Sequence, residues 1–123
     1  MSELVTFLKP DFSFADELGS LVQLAHSGWK QINVLHTKAG VKRGGHYHKH
    51  TQEAFFVVDG EVCLRLSKAG HNEDLIVKSG DFFCFPPYVV HSLEFRADTT
   101  LVALYDTPVE QGDGTKDIFA AEE

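Results

Sequence analysis

Little in this sequence points to a membrane, an oxidising compartment or a nucleic acid. No apolar run approaches the roughly 18 residues that a membrane-spanning helix needs, and the opening MSELVTFLKP is too polar for a secretory leader. Cysteine is scarce. Cys63 and Cys84 are too few for a disulfide framework and sit in apolar, strand-like runs, so they are read as buried reduced thiols of a cytoplasmic protein. Basic residues are outnumbered, 11 Lys and Arg against 18 Asp and Glu, and a net charge of −7 argues against a phosphate-backbone partner. No segment is long and periodic enough to predict a helix, and no internal repeat, linker or low-complexity tract appears. What remains is an ordinary globular profile of 43% hydrophobic and 24% charged residues, which excludes disorder, collagen and coiled coil. Its 123 residues make one domain, large enough to bury a core without staples.

Glycine and proline punctuate the chain at short intervals, with runs rich in Val, Ile, Phe and Leu between them. The pattern predicts strands near 31–37, 45–50, 53–59, 61–67, 73–77, 81–85, 89–96 and 100–106, and hence an all-β sandwich or barrel. FADELGSLVQL near the start fits a helical turn or a strand equally well. Residues 54–58 are apolar on both faces, which predicts a strand buried on both sides, one facing the interior and the other a second sheet or a partner subunit. VDGE at 58–61 reads as an Asp-Gly hairpin. Charge is uneven: residues 106–123 hold six acids against one base, whereas the stretch from Lys38 to Gln52 carries Lys38, Lys42, Arg43 and Lys49 and no acid. That basic stretch suits either solvated lysines or an anionic small molecule.

The chemistry concentrates in GVKRGGHYHKHTQEAFFVVDG, residues 40–60. His46 and His48 are two apart, so on an extended strand both imidazoles leave the same face, roughly 6.6–7 Å apart along the chain. Such a pair supplies two lone-pair donors to one metal ion. Glu53 opens the next strand and can add a carboxylate. His91 shares an inward parity with Val89, Leu93 and Phe95, which makes it available as a fourth ligand. Three imidazoles and a carboxylate suit Fe, Mn, Ni or Zn as the divalent ion without choosing among them. The other histidines, His26, His36, His50 and His71, are read by default as hydrogen-bonded residues without a metal role, and the pattern does not say which way His50 points.

These residues resemble the cupin superfamily. Gly40, His46, His48, Glu53 and Gly60 match its first motif, G-(x)5-H-x-H-(x)4-E-(x)6-G, without a gap. Gly80, Pro86 and His91 meet the second, G-(x)5-P-x-G-(x)2-H-(x)3-N, which departs at Tyr88 and Phe95. The resemblance implies a single-domain cupin-type jelly-roll β-barrel with a core at about 30–106. The N-terminal segment 1–29 would pack on the barrel or on a partner, and 107–123 would form an acidic tail. It also implies one divalent metal ion held by His46, His48, Glu53 and His91, with open coordination positions. Tyr88 then alters a turn or the pocket mouth and Phe95 a wall, or both fill space.

A narrower similarity lies within that group. RGGHYHKHTQEAFFVVDGE is similar to the cupin domain of sugar-nucleotide reductase/epimerases of capsular polysaccharide pathways, and SLEFRADTTLVALYDTP to the barrel end of nucleotide-sugar 3,4-ketoisomerases. Glu53 stands where the ketoisomerases often have glutamine, which favours a metal. The implied activity is isomerisation or epimerisation of a keto-sugar, possibly nucleotide-linked, by metal-assisted removal of a proton beside a carbonyl. His36 and Tyr88 are the candidate catalytic bases, and Lys42, Arg43 and Lys49 the candidate contacts to diphosphate. Two alternatives stand beside it: an iron-dependent dioxygenase of a small organic substrate, and a non-catalytic module that binds a small ligand. Phe7, Phe12 and Phe14, with the doubly apolar strand at 54–58, predict a homodimer.

Overall fold

The computed structural model describes residues 4–110 and 112–121. Twelve strands follow one another: β1 (Thr6–Phe7), β2 (Phe12–Asp16), β3 (Gly19–Gln23), β4 (Gln31–Thr37), β5 (Lys42–Tyr47), β6 (Glu53–Asp59), β7 (Glu61–Lys68), β8 (His71–Lys78), β9 (Phe82–Phe85), β10 (Val90–Phe95), β11 (Thr99–Tyr105) and β12 (Phe119–Ala120). One five-stranded antiparallel sheet has the order β1-β9-β6-β11-β4, and a second has the order β12-β5-β10-β7-β8. Together they form a cupin-type jelly roll. Strand pairing does not run continuously around it: among the described residues the sheets remain two separate ladders, with the core between their inner faces.

Alternation dictates which residues enter that core. On β10, His91, Leu93 and Phe95 are buried while Val90, Ser92 and Glu94 are less so, the period of two expected of a half-buried strand. Phe55 and Val57 of β6, Val62, Leu64 and Leu66 of β7, Phe83 and Phe85 of β9 and Leu101 of β11 complete the filling. The outer face of β6 is apolar too. Ala54 and Phe56 join Phe82, Cys84 and Leu104 in a second cluster, over which the N-terminal segment lays Leu8, Leu24 and Trp29. Both cysteines are buried free thiols.

Two sequence readings resolve differently in space. FADELGSLVQL is a β-hairpin, β2 with β3, in which Asp16 caps the turn by accepting from the Leu18 amide at 2.9 Å. VDGE is not a hairpin. β6 pairs with β11 and β9, whereas β7 pairs with β10 and β8, so Asp59 and Gly60 turn the corner from one sheet to the other. The reason is steric. Gly60 has φ +124, and a Cβ there would lie 2.2 Å from Thr99 Oγ1 and 2.7 Å from Thr99 Cα, because β11 begins directly against the corner. Only glycine permits that approach.

Gly60→Ala is therefore expected to lower Tm by roughly 8 °C, on the basis of about 2 kcal/mol of backbone strain and overlap. Gly112→Ala, at a site with nothing within 4 Å of the added carbon, is expected to leave Tm within about 1 °C. Thermal melts of the two variants beside the parent check the contrast.

Candidate metal centre

A bulge on β5 sets up the site. Across the β5–β10 pair His91 faces His46, Ser92 faces Gly44 and Leu93 faces Arg43, so Gly45 is an extra residue in the ladder. Gly44 and Gly45 both have positive φ, and a Cβ on Gly44 would meet the His91 carbonyl oxygen at 2.6 Å. The extra residue shifts the strand's parity. In a regular strand Lys42, Gly44 and His46 would share a face. Here Arg43 and His46 face inward together, opposite the inward Leu93 and His91.

His46, His48, Glu53 and His91 then meet, each offering one ligand atom, all within 4.8 Å of one another. Three of the four are buried, with His91 1% and Glu53 3% exposed, and His46 is half-buried. The His91 ring stacks on Phe85 at 4.7 Å between centroids and is met edge-on by His46 at the same distance. Glu53 sits at the centre: its Oε1 lies 3.1 Å from His48 Nε2 and 3.0 Å from His91 Nε2.

The protons show what the group is built to hold. His48 Nδ1 is bonded to the Asp117 main-chain carbonyl and His91 Nδ1 to that of Val89, and a carbonyl oxygen can only accept. Both Nδ1 atoms therefore donate, and in a neutral ring each Nε2 is left with a lone pair aimed at Glu53. The His91 Nε2–Glu53 approach is short but lacks hydrogen-bond geometry, so that buried nitrogen has no hydrogen-bond partner. Lone pairs crowded on a buried carboxylate call for a cation among them. A divalent ion on three imidazoles and one carboxylate fits this donor set.

Without an ion the electrostatics favour placing the needed positive charge on His48 and leave His46 neutral. Burial and the neighbouring His91 push His46 down to about 4, which keeps its imidazole neutral and able to ligate. Burial opposes charge on His48, but its hydrogen bonds to Glu53 and to the Asp117 carbonyl outweigh this and raise it. Burial alone would raise Glu53; the hydrogen bond from His48 and the close approach of His91 overcome it and hold the carboxyl well below the usual carboxylate range.

The four residues open onto a cavity of about 420 Å³, within the size range of small-molecule sites. Its floor is apolar, from Leu35, Phe55, Leu93, Phe95 and Leu101, and Gln31, Asn33 and Tyr105 give it one polar wall. A C-terminal strap adds Val109, Glu110, Lys116 and Ile118 to the lining, together with Arg43, whose Nε donates to Thr37 Oγ1 at 2.9 Å. Tyr105 hydrogen-bonds to Glu53 and Asn33, and burial followed by the Glu53 charge raises its hydroxyl above the ordinary value, so it stays protonated.

The proposed ligands thus come together, but the proposed bases do not. His36 lies on the outward face of β4 with the exposed Ile32 and Val34, hydrogen-bonded to Thr100 Oγ1 at 2.8 Å. The shared parity with Ile32 and Val34 holds, but the inward residues of that strand are Gln31, Asn33 and Leu35. Tyr88 is 51% exposed, stacks on Tyr47 outside the cavity, and takes φ +71, the left-handed conformation that explains the family's preference for glycine there. Of the three cations expected at diphosphate, only Arg43 reaches the cavity. Lys42 lies against an outer groove with Arg65 and Glu94, and Lys49 sits 4.2 Å over the Phe119 ring. His50 is exposed and does not belong to the cluster.

Two residues escaped the sequence reading. Tyr105 faces Glu53 across the β6–β11 ladder, a pairing that no local pattern encodes. Asp117, set aside with the acidic tail, is buried, and its carboxylate accepts the amides of Lys49, His50 and Thr51 at 2.9, 2.9 and 2.8 Å.

Known proteins share parts of this geometry. A family model described as polysaccharide biosynthesis C-terminal domain matches residues 14–107. Among solved structures, the sugar 3,4-ketoisomerase QdtA of Thermoanaerobacterium thermosaccharolyticum, in complex with TDP, superposes with a TM-score of 0.79 at 18% identity, covering 97% of this chain and 89% of that one. The TDP-quinovose 3,4-ketoisomerase WlaRB of Campylobacter jejuni does so with a TM-score of 0.78 at 15% identity, covering 94% of each chain. At such identities the likeness is one of fold. Curated relatives include the 3-hydroxyanthranilate 3,4-dioxygenases of Xenopus laevis, 29% identical over 70 residues, and Ruegeria pomeroyi, 30% over 66. The matches cover 57% and 52% of this chain, and the chain spans only 25% and 37% of those proteins' lengths.

Elemental analysis of purified protein is expected to find one divalent metal per chain, lost in His48→Ala and kept in His50→Ala. In metal-free protein His46 adds a pH dependence whose sign is set by its depressed value. The unfolded chain takes a proton near 6.5, while the folded chain resists it to about 4. Folded protein therefore loses stability as pH falls through that window. His46→Gln is expected to gain on the parent between pH 6.5 and 4 in urea melts run with chelator; an unchanged difference across the window would remove burial as the cause.

Proposed function

Because this chain belongs to the polysaccharide biosynthesis C-terminal domain family, we propose that it is an isomerase or epimerase of a keto-sugar, carried on a nucleotide, that works at a divalent ion held by His46, His48, Glu53 and His91. The observation that carries the reading is the convergence of the His48 and His91 lone pairs on the buried Glu53, at the end of a cavity sized for a small molecule. The fold it shares with sugar 3,4-ketoisomerases supports the reading.

A divalent ion bound there supplies Lewis acidity to a carbonyl oxygen. The chain's own residues do the rest. The Gln31 and Asn33 amides face sugar hydroxyls from the polar wall. Tyr105, kept protonated, turns its one hydroxyl hydrogen from Glu53 to the carbonyl oxygen as negative charge grows on it. With His36 and Tyr88 outside, Glu110 on the strap is the cavity carboxylate outside the ligand set that takes the neighbouring proton and returns it. Arg43 and Lys116, at the mouth, meet the anionic part of the substrate. The apolar floor excludes water from the reacting carbons.

A second reading rests on the curated relatives that are 3-hydroxyanthranilate 3,4-dioxygenases. The same donor set suits iron beside a chelating aromatic substrate, for which the apolar floor would also serve. Oxygen discriminates: turnover that stalls under anaerobic conditions belongs to the dioxygenase, and indifference to oxygen to the isomerase.

The reading includes a pair of chains. Ile32 and Val34 on the outer face of β4 are 62% and 64% exposed, and Phe12 and Phe14 of the β2–β3 ribbon are exposed as well, apolar side chains that a partner chain would cover. Light scattering at micromolar concentration is expected to give twice the 13.7 kDa chain mass, and the chain mass alone would end this part of the proposal.

In deuterated buffer the metal-loaded protein is expected to place deuterium on the carbon beside the carbonyl of a nucleotide-linked keto-sugar. Chelation should abolish the exchange, and Tyr105→Phe and Glu110→Gln should each slow it about 100-fold. Exchange retained without metal would refute the metal's part, and saturable binding without exchange would leave a module that only holds its ligand.

A further inference from the structure

The acidic C-terminal segment reaches back into the metal centre, and the contact is made twice by one residue. Asp117 lies on the strap, between Lys116 and Ile118 of the cavity lining. Its main-chain carbonyl accepts the Nδ1 proton of His48, and its carboxylate accepts three successive amides, those of Lys49, His50 and Thr51. These three residues form the start of the loop that joins His48 to Glu53, so one side chain grips the connection between two ligands. Asp117 is itself buried and firmly seated. Its amide donates to the Val109 carbonyl at 2.8 Å, and two residues later Phe119 and Ala120 pair with Tyr47 and His46 as β12. Outside the sheet a stack runs Tyr88, Tyr47, Phe119, with the Lys49 ammonium over the last ring.

We propose that Asp117 is a positioning residue of the metal centre, which sets the tautomer and aim of His48 through the strap. The proposal rests on the metal reading above and goes beyond it by giving the C-terminal strap a part in the site. The chemistry is direct. An imidazole offers its lone pair at Nε2 only when its proton is on Nδ1, and a partner that can only accept enforces that choice. His91 has a carbonyl partner two residues away, just before its own strand. His48 depends on a residue 69 positions distant, so its orientation is lost if the strap lifts. The three-amide grip keeps the strap down, because each amide would otherwise lack a partner in a part-buried loop.

The test reads the imidazole nitrogens of ¹⁵N-labelled protein by long-range ¹H–¹⁵N correlation, with chelator present and at a pH where His48 is neutral. It is paired with Zn²⁺ affinity by chelator competition. Wild-type His48 is expected to carry its proton on Nδ1. Asp117→Ala should shift it toward Nε2–H and weaken Zn²⁺ binding about 10–100-fold, the range seen when a ligand's supporting partner is removed. Asp117→Asn, which keeps one accepting oxygen, should fall between, and His50→Ala should match the parent. A wild-type His48 protonated on Nε2, or a folded Asp117→Ala with unchanged tautomer and affinity, would overturn the proposal. If Asp117→Ala does not fold, the wild-type tautomer and Asp117→Asn decide it. Absence of Zn²⁺ binding by the parent would count against the metal reading instead, while the tautomer of the metal-free parent still judges this one.

Discussion

A carboxylate buried between two imidazoles whose Nδ1 protons are already committed is the constraint around which this molecule is arranged. Glu53 cannot be solvated where it sits, and in neutral rings the nitrogens beside it would present lone pairs rather than hydrogens. Burying such a group without a counter-charge costs several kcal/mol. Either a proton or a metal ion must stand among these atoms, and the metal satisfies all four donors where one proton serves two. The surrounding packing follows from that need. Phe85 backs His91, Tyr105 tops Glu53 and Asp117 braces His48, so three of the four side chains are held toward the others.

Much of this was legible from spacing alone. H-x-H on a strand fixes two imidazoles to one face, and the alternation around His91 announces its inward aim, so the four residues of the cluster and eight principal strands stand out before any coordinates. Faces were harder. His36 shares a parity with two apolar residues, and apolar neighbours ordinarily mean the interior. This sheet is apolar on both sides, so parity named the set and not the direction. Tyr88 drew attention as a departure from the family pattern, and its importance proves conformational, since it occupies a left-handed turn that glycine would take without strain.

The residues that escaped are those whose role depends on distant pairing. Tyr105 meets Glu53 only because β11 lies beside β6, and Asp117 meets His48 only because β12 returns to β5. A run of acids at the end of a chain looks like a solvated tail when only its charge is counted. Asp117 differs from its acidic neighbours in having three amides waiting for it, and those amides belong to residues some seventy positions earlier. The Asp-Gly pair at the β6–β7 boundary misled for a related reason: the dipeptide marks a sharp reversal but does not say whether the two strands it joins will pair.

The double glycine in β5 has a wider implication. Because Gly45 is supernumerary, the strand is clocked differently on its two sides: the histidines follow one phase and Arg43 the other. Ironing out the bulge at constant length would turn Arg43 outward and bring Lys42 in, while the histidine pair downstream kept its bearing. The Arg43 end of the cavity and its histidine end can therefore diverge independently, because a bulge sets the phase of one and leaves the other untouched.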